Sequence, residues 1–438
     1  GKGQGDVQDI AAAGCNIVAL CDVDEQRAAG TFKQFPDAKR YTDFRVMLDK
    51  QKDIDAVIVA TPDHMHYAVA AYAIDHGKHV YVQKPLTWSV EESRLLAKKA
   101  KEKKIVGQMG NQGHSMDDAR TGYEYINGGA IGDVHEVHVC TNRPLGFWPQ
   151  GVPRPAPMPA PQPPRSGSLP PAQQWNGRFV EAKIAEALHG DYPVPSELDW
   201  DLFLGVAPKV AYHPIYHPMN WRGWVDWGQG ALGDMGAHLI DHPFWSLDLG
   251  MPTTIETVST PFNGASYPHA TMTYYQFPAR GSRPPVKLIW YDGGFLPPKP
   301  EEMGDMQFDG EGGILYVGSK GKMLQNTYGR NPRLLPLSRH EQTPKPKAIL
   351  PRIAHEEHEM NWVEAIKGQA EISCPLDYAA ALNEVMLLGV VALRAGSKIT
   401  YDGTNMKVTS GSVTINKQTV DPNDFLRREP RPGFVGTR

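Results

Sequence analysis

The sequence contains few cysteines, and their spacing excludes the common cysteine-based folds. Four occur among 438 residues, without a CxxC pair or a zinc-ligand spacing: Cys15, Cys21, Cys140 and Cys374. Such a small and scattered set cannot make a disulfide scaffold. We therefore expect all four to be small, buried apolar side chains.

The chain also lacks a charge excess and a long apolar run. Lys and Arg number 45 against 49 Asp and Glu, which gives a net charge of −4. Nucleic-acid-binding chains usually carry a basic excess, so we expect no nucleic-acid partner. The longest apolar run, Val385–Leu393, is shorter than the roughly 18 residues of a membrane helix, so we expect no membrane span. A hydrophobic content of 41% predicts a sizeable core.

Short apolar runs alternate with amphipathic stretches in the N-terminal quarter of the chain. The runs have the length of strands: Asn16–Cys21, Ala56–Ala60, His79–Val82 and Ile105–Met109. Helices are predicted between them at Asp63–Gly77 and Ser89–Lys104, the second with Ser89 as N-cap and Glu92 completing a capping box. Strands of this kind separated by helices predict an α/β domain with a doubly wound parallel sheet.

A different periodicity follows from about residue 125. Apolar residues alternate with period two in five runs: Val134–Cys140, Thr254–Ser259, Ala270–Phe277, Val286–Trp290 and Ile314–Val317. We expect an α+β domain with a large, mainly antiparallel or mixed open sheet over residues 125–438, after an α/β domain over 1–124. Helices are predicted at His355–Lys367 and Tyr378–Ala395, with His355 and His358 on a solvated face.

One segment is too rich in proline for regular structure. Residues 149–171 read PQGVPRPAPMPAPQPPRSGSLPP, which excludes a helix or a central strand. We interpret it as an extended surface loop within the second domain.

The N-terminal residues suggest a dinucleotide site. Gly1 and Gly3 precede a predicted helix, and Asp22 follows the next strand about 20 residues later. Glycines in this position let the backbone approach a pyrophosphate, and a carboxylate at the strand end accepts hydrogen bonds from ribose hydroxyls. Because Asp22 would repel a 2′-phosphate, the pattern favours NAD over NADP. The alternative is a flexible terminus with Asp22 as a helix cap.

Three motifs together resemble the glucose–fructose oxidoreductase/inositol dehydrogenase (Gfo/Idh/MocA) family. They are TPDHMH from Thr61, HGKHV leading to Gln83-Lys84-Pro85, and GDMGAH from Gly233. The resemblance implies a Rossmann-type NAD-binding domain followed by a mixed-sheet domain. It also implies that Gly1 and Gly3 end the glycine fingerprint, with the first strand missing.

Two further stretches, GNQGHS from Gly110 and YHPIYHPMNWRGW from Tyr212, resemble an exported subgroup of sugar-degrading bacteria. This likeness implies a periplasmic or otherwise exported protein; without it, we would expect a cytoplasmic one. The family likeness further implies a homodimer or homotetramer.

The resemblance implies specific roles at the cofactor. Lys84 matches the family lysine beside the nicotinamide and the reacting carbinol. Five further residues are expected to contact the cofactor: Thr61, Pro62, His66, Gln83 and Asn111. Gln83 replaces the family's glutamate, and a neutral amide favours a neighbouring ammonium less than a carboxylate does. We therefore hypothesise that Lys84 shares its proton readily at working pH.

Asp234 and His238 are four residues apart, so on a helix they face the same side. Alcohol oxidation needs a base for the hydroxyl proton, and an imidazole suits that task. By resemblance, His238 is the general base and Asp234 an orienting, substrate-binding carboxylate. The alternative is an ordinary helix-start aspartate with a buried core histidine.

Aromatic and hydrogen-bonding residues are concentrated between residues 212 and 224. Such a mixture suits a pyranose, which has apolar faces and a polar rim. An aromatic loop packed between domains is an equally good interpretation. The substrate-binding candidates are Arg143, Trp148, Tyr212, His217, Asn220, Trp221, Arg222, Asp234 and His238. We expect no metal, because the histidines His114, His213 and His217 lack helical spacing and a carboxylate partner.

These inferences predict an NAD(H)-dependent oxidoreductase that acts on a secondary hydroxyl of a sugar or glycoside, with a 3-keto sugar as one product. Two alternatives remain open. One is an NAD-dependent glycoside hydrolase that works by transient oxidation and elimination. The other is a non-catalytic sugar-binding protein without a cofactor.

Overall fold

A computed structural model describes residues 1–155, 188–415 and 417–434. The N-terminal part holds five strands, all in parallel pairs: β1 (Ala19–Cys21), β2 (Lys39–Tyr41), β3 (Ala56–Val59), β4 (His79–Gln83) and β5 (Gly107–Gly110). Helices surround them: α1 (Lys2–Ala12), α2 (Glu25–Gln34), α3 (Phe44–Lys50), α4 (His66–Asp75), α5 (Val90–Glu102) and α6 (Asp117–Asn127).

The predicted α/β pattern is confirmed, with small shifts at the ends of elements. Ser89 caps α5 in a capping box with Glu92, as predicted. The predicted helix from Asp63 begins with a 3₁₀ turn at Asp63–Met65 and continues as α4. Strand β1 pairs with β2, whereas β3 belongs to the β3–β4–β5 sheet. The parallel sheet is therefore divided between β1 and β3 in the described residues.

A nine-stranded mixed sheet dominates the C-terminal part. Its strand order is β12-β11-β10-β6-β9-β8-β7-β13-β14, with β6 and β9 parallel and the other pairs antiparallel. The strands are β6 (Val134–Thr141), β7 (Thr254–Ser259), β8 (Thr271–Phe277), β9 (Val286–Tyr291), β10 (Gly312–Gly318), β11 (Gly321–Asn326), β12 (Arg333–Leu335), β13 (Ile399–Asp402) and β14 (Lys407–Val408). The predicted mixed sheet is thus confirmed, and β15 (Val413–Ile415) and β16 (Gln418–Val420) form a separate hairpin.

Six helices of this part are described: α7 (Trp200–Leu204), α8 (Gly230–Leu239), α9 (Asp241–Ser246), α10 (Leu337–Gln342), α11 (His358–Ile366) and α12 (Leu376–Ala395). By length and composition α12 could cross a membrane, although 83% of its apolar window is buried inside the protein. A Cβ on Gly389 would lie 2.4 Å from the Tyr275 hydroxyl and 3.2 Å from Thr273 Cγ2. Helix α12 therefore packs closely on β8 as a core helix.

The two parts pack into one another. Trp362 of α11 lies against Tyr81 of β4, with ring centroids 5.6 Å apart. Gln108 of β5 forms a bridge with Pro375, which directly precedes α12. Helix α6 spans the predicted boundary at residues 124 and 125. The C-terminal part thus supplies helices to the N-terminal sheet, and this packing brings residues from both parts to one cleft.

The last described residues run back across both parts. The Arg428 guanidinium lies 3.6 Å from the centroid of the Trp88 ring and donates to the Asp226 carbonyl oxygen at 2.5 Å. Its other amino group approaches the His64 carbonyl oxygen at 3.5 Å. This C-terminal tail, residues 422–434, therefore ties the turn before α4 to the second domain.

The structure overturns two expectations from the sequence and supports part of a third. His358 is buried and bonded to Ser115 Oγ and the Met109 carbonyl, so the solvated helix face predicted for it is wrong. Cys21 is exposed and Cys15 is half-buried, so the expectation that all four cysteines are buried holds only for Cys140 and Cys374. Residues 149–155 have no helix or strand, as predicted, and the rest of the proline-rich segment lies outside the described residues.

Candidate functional site

The two domains meet in an ion pair between Lys84 and Asp234. Lys84 directly follows β4, at the carboxyl end of a parallel strand, where α/β sheets bind ligands. Its Nζ lies 2.8 Å from Asp234 Oδ1 and 2.7 Å from the Asp234 backbone oxygen. Both side chains are mostly buried and line the same cleft. The motif residues therefore converge, as the sequence predicts.

Asp234 is held as a carboxylate. Burial alone would raise its pKa, but Lys84 and Arg222 outweigh this effect and lower the pKa to about 2. Arg222 Nε lies 3.5 Å from Oδ1, and Arg143 Nε lies 3.9 Å from Oδ2. At neutral pH the carboxylate is thus charged and surrounded by three cations.

His238 lies one helical turn after Asp234 in α8, on the same side of the helix. It is 4% exposed, and burial followed by the charge of Lys84 lowers its pKa well below the usual range. Its Nδ1 has no hydrogen-bond partner among the residues that the structure describes. The ring also lines the cleft, and a neutral imidazole in that position is equipped to accept a proton.

Tyr328 completes the pocket and was missed in the sequence. Its ring packs edge-on to His238 with centroids 4.7 Å apart, and it lines the cleft. Its φ of 65° and ψ of 19° lie in the left-handed region, which a residue with a Cβ rarely adopts. The residue sits in a short turn between β11 and β12 outside any recognised motif. In the sequence, the one feature that could have indicated this residue is its position beside Gly329, in the segment that connects two strands.

The nucleotide end of the cleft is lined by Gly1, Gly3 and Asp22. A Cβ on Gly3 would lie 2.9 Å from Ala60 Cβ, so only glycine allows α1 to pack this closely on β3. Asp22 follows β1, and one carboxylate oxygen accepts the Asp24 backbone N–H at 3.0 Å. Thr61 Oγ1 is buried without a hydrogen-bond partner in the described part of the chain. Thr61 and Pro62 also line the cleft.

Three residues expected at the cofactor have side chains bonded to other residues of the protein, although His66 and Gln83 also line the cleft. Asn111 does not reach the cleft and donates instead to Asp241 Oδ2 at 3.0 Å. Both ring nitrogens of His66 lie within 2.8 Å of backbone carbonyl oxygens, at Thr61 and Pro85. The His66 ring is thus held by backbone oxygens at the edge of the cleft, whereas Asn111 lies outside the lining.

Gln83 is the third, and its position bears on the proton-sharing hypothesis. Its amide donates to Asp6 Oδ2 at 2.8 Å, at the start of the chain and away from Lys84. The carboxylate beside Lys84 is instead Asp234, in the other domain. An amide at position 83 therefore does not leave Lys84 without a counter-ion, which removes the ground for the proton-sharing hypothesis.

The predicted substrate residues divide into two groups. Arg143, Trp148, Trp221 and Arg222 line the cleft together with Asp234 and His238. Tyr212 packs edge-on against Trp200 in an aromatic cluster, and neither Tyr212 nor Asn220 is among the lining residues. The aromatic segment thus serves both interpretations, with one part structural and one part in the cleft.

His217 lines the cleft beside the N-terminal domain. Its Nε2 lies 3.3 Å from Asp24 Oδ2, two residues after Asp22 in the N-terminal domain. Asp24 caps α2 by accepting the Arg27 backbone N–H at 2.9 Å. His217 thus docks the aromatic segment on the strand end expected to hold a ribose.

One carboxylate cluster could be mistaken for a metal site. Oxygen atoms of Asp6, Asp9 and Glu359 lie within 4.8 Å of one another. The Lys2 ammonium lies 2.7 Å from Asp6 and 3.2 Å from Glu359. A cation of the chain itself therefore already pairs with two of the three carboxylates.

Family models match both domains. Residues 4–111 match the oxidoreductase family model with an NAD-binding Rossmann fold, and residues 174–263 match its C-terminal alpha/beta domain model. The chain belongs to the Gfo/Idh/MocA family. Its N-terminal domain is accordingly the NAD-binding Rossmann domain of that family.

Relatives in the Gfo/Idh/MocA family include sugar-acting enzymes. The chain is 30% identical over 115 residues to a levoglucosan dehydrogenase of Pseudarthrobacter phenanthrenivorans. This match covers 26% of this chain and 29% of that protein. It is 32% identical over 146 residues to glycosyl hydrolase family 109 protein 1 of Bacteroides fragilis, which covers 31% of each. The matched part of the chain thus spans less than a third of either relative.

A solved structure shares the whole fold. Levoglucosan dehydrogenase in complex with NADH and levoglucosan superposes with a TM-score of 0.56 at 17% identity, and the match covers 91% of this chain and 97% of that chain. At this identity the similarity establishes the family's two-domain fold.

The family's cofactor fits the residues that are present. The close packing at Gly3, the carboxylate at Asp22 and the buried hydroxyl of Thr61 line one side of a cleft of about 1400 Å³. The cleft is therefore larger than a typical pocket for one small ligand. Part of its volume lies between strands β1 and β3. Gly1, Gly3, Asp22 and Thr61 would hold NAD, with Lys84 and His238 at the other end.

Proposed function

We propose that the protein is an NAD(H)-dependent oxidoreductase that acts on a secondary hydroxyl of a sugar or glycoside. The observation that carries the proposal is the 2.8 Å contact between Lys84 Nζ and Asp234 Oδ1, with His238 one turn beyond. These groups can manage a hydroxyl proton at one end of a nucleotide cleft. When bound, NAD would accept hydride from the substrate carbon at nicotinamide C4.

The histidine suits the role of base. Burial keeps the His238 imidazole neutral, so one nitrogen can accept the hydroxyl proton. The same burial disfavours the imidazolium. The imidazole therefore takes up a proton most readily as the hydride leaves the substrate carbon, because the substrate hydroxyl group is then most acidic.

The lysine suits the role of an oxygen-binding group. An ammonium has three donors, and Lys84 uses two of them on the carboxylate and carbonyl oxygens of Asp234. The remaining donor can bind the substrate oxygen as its charge develops. Asp234 fixes the position of Lys84 and restricts it to a few orientations.

A direct test is a screen of hexoses and glycosides with added NAD, monitored by NADH absorbance and product mass. We expect NADH to form together with a product two mass units lighter than the sugar. Oxidation at C3 would give a 3-keto sugar, which NMR of the product identifies. Absence of NADH binding by the purified protein, measured by nicotinamide fluorescence, would contradict the proposal.

A second candidate is an NAD-dependent glycoside hydrolase that oxidises its substrate transiently. The match to a family 109 glycosyl hydrolase supports this candidate. The same lysine and histidine would then serve an oxidation that is later reversed. Turnover of an aryl glycoside without net NADH formation would favour the hydrolase over the dehydrogenase.

We also propose that the protein is exported and forms a homodimer or homotetramer. Met272 and Tyr274 of β8 are half-buried on the sheet face opposite α12, where a second copy could cover them. Light scattering with size exclusion would measure the mass in solution. Fractionation of the native host would show whether the protein reaches the periplasm.

A further inference from the structure

Arg143 and Arg222 each lie near a different carboxylate oxygen of Asp234, the partner of Lys84 in the ion pair. Their Nε atoms lie 3.9 Å from Asp234 Oδ2 and 3.5 Å from Asp234 Oδ1, respectively. Each guanidinium lies over an aromatic ring, Arg143 over Phe147 at 3.5 Å and Arg222 over Trp221 at 4.3 Å. Stacking of this kind fixes the plane of the guanidinium and leaves its edge for polar contacts.

Neither guanidinium has a hydrogen-bonded carboxylate among the residues that the structure describes. Arg143 donates to Asn142 Oδ1 at 2.5 Å, and Arg222 approaches the Met219 carbonyl oxygen at 3.5 Å. The distances to Asp234 exceed the 2.7–2.9 Å of a charge-assisted hydrogen bond. The shortest contact of Asp234 is with Lys84, so the arginines share a carboxylate that is already paired.

The balance of charge at this end of the cleft is positive. Three cations, Lys84, Arg143 and Arg222, surround one fully ionised carboxylate. Asp63 is another nearby carboxyl, but burial raises its pKa to about 7, and it makes no ion pair within 4.0 Å in the described part of the chain. His238 is neutral, because burial lowers its pKa, and so is Tyr328, whose pKa burial raises.

The wider surroundings do not correct this excess. Asp241 is a second ionised carboxylate that acts on His238, but it is bonded to His114 and Tyr378 and forms no ion pair with either arginine. Glu311 and Arg330 both act on the Tyr328 hydroxyl, and they are exposed and opposite in sign. Cations held in a mostly buried cleft without matching anions cost free energy, which an anionic ligand recovers on binding. The planar fork of a guanidinium matches carboxylate and phosphate oxygens in particular.

We propose that the sugar substrate carries an anionic oxygen group, a carboxylate or a phosphate, and that Arg143 and Arg222 bind this group. This inference rests on the proposed function and narrows its substrate class from sugars in general to acidic sugars. The stacked aromatic rings would hold the two guanidinium groups while Lys84 and His238 handle the reacting hydroxyl.

The test measures sugar binding by calorimetry on full-length protein saturated with NADH. The matched ligands are D-glucuronate, D-galacturonate and D-glucose 6-phosphate, each compared with its neutral hexose. We expect at least one anionic sugar to bind 10-fold or more tightly than its neutral counterpart. Its affinity should fall as the salt concentration rises. The uronate and phosphate arms identify which anion the site accepts.

Substitutions locate the preference. Arg143→Gln and Arg222→Gln should each reduce the ratio of anionic to neutral affinity by about 10-fold, and Arg222→Lys should retain part of it. The matched control is Arg280→Gln, because Arg280 pairs with Asp248 at 3.3 Å on an exposed surface. The control should leave the ratio unchanged. Thermal denaturation of each variant checks that it is folded.

Two results would overturn the inference while leaving the proposed function intact. One is equal binding of anionic and neutral sugars in every pair, with NADH bound. The other is an anion preference that survives both arginine substitutions, together with weaker NADH binding, which would assign the arginines to the cofactor. Failure of the protein to bind NADH at all would instead contradict the proposed function.

Discussion

Lys84 and Asp234 are 150 residues apart in the sequence, yet Nζ and Oδ1 are separated by 2.8 Å. One follows a strand of the Rossmann domain and the other lies on helix α8 of the second domain. The contact therefore reports on the correct association of the two domains as well as on the chemistry between them.

We expect Lys84→Met and Asp234→Asn each to lower kcat/KM for the sugar by 100-fold or more. The first removes the donor to the substrate oxygen, and the second removes the carboxylate that positions this donor. NADH affinity should change much less, since Gly1, Gly3 and Asp22 lie at the other end of the cleft. Lys99→Met is the control, because Lys99 pairs with Asp75 on the surface. Equal activity of the three variants would contradict the assignment.

Asp63 should make the protein less stable as the pH rises. Burial raises its pKa from 3.8 to about 7, so the folded state holds a proton that the unfolded state releases above pH 4. Stability therefore falls between about pH 4 and pH 7 and is level above. Asp63→Asn should raise Tm by about 2–5 °C at pH 8, with a smaller gain at pH 5. A gain that is independent of pH would disprove the titration.

Tyr328 combines backbone strain with a ring contact, and substitutions can separate the two. Tyr328→Ala removes the contact with His238 but keeps a Cβ at a φ of 65°. Tyr328→Gly removes both, so we expect it to be about 1 kcal/mol more stable than the alanine variant in chemical denaturation. Tyr328→Phe keeps the ring but lacks the hydroxyl, so its difference from the unchanged protein measures the contribution of the hydroxyl to stability. If alanine and glycine variants are equally stable, the backbone is not strained.

His217 should affect the cofactor more than the sugar. Its contact with Asp24 lies at the strand end that carries Asp22. We expect His217→Ala to weaken NADH binding by about 3- to 10-fold, measured by fluorescence, with a smaller change in the KM of the sugar. His135→Ala, a substitution in strand β6, serves as control. The reverse pattern would restore the substrate role predicted from the sequence.

Asp22 should determine the choice between NAD and NADP. A carboxylate at this position repels a 2′-phosphate, so we expect Asp22→Ser to shift the ratio of NADPH to NADH affinity by 10-fold or more towards NADPH. Titration of both nucleotides measures the ratio. Asp37→Ser, at an exposed position beyond α2, should leave it unchanged. An unchanged ratio in Asp22→Ser would remove this carboxylate from the ribose site.

The sequence predicted the elements whose signals are local. The capping box at Ser89 and Glu92 defines the start of α5, and the spacing of Asp234 and His238 places both on one side of α8. Period-two runs identified the larger strands of the mixed sheet. These features depend on neighbours within a few residues, so one sequence contains the necessary information.

Features that depend on distant partners were not predictable in the same way. Asn111 was assigned to the cofactor, but its partner is Asp241, 130 residues later. Tyr328 contacts His238 because its backbone adopts a left-handed conformation, which no sequence motif predicts. Gln83 was interpreted through its neighbour in the sequence, whereas the counter-ion of Lys84 comes from the other domain. Side-chain partners are decided by tertiary packing, which the linear pattern does not contain.

The C-terminal tail connects the far end of the chain to the cleft. Arg428 bonds the Asp226 carbonyl and approaches that of His64, the residue next to Asp63, although the tail itself is not among the cleft-lining residues. A protease that cut after Leu426 would release this arginine without touching the cleft. We therefore expect limited digestion at this site to lower the activity of the enzyme. The intact mass of a preparation should be measured before a lack of activity is interpreted.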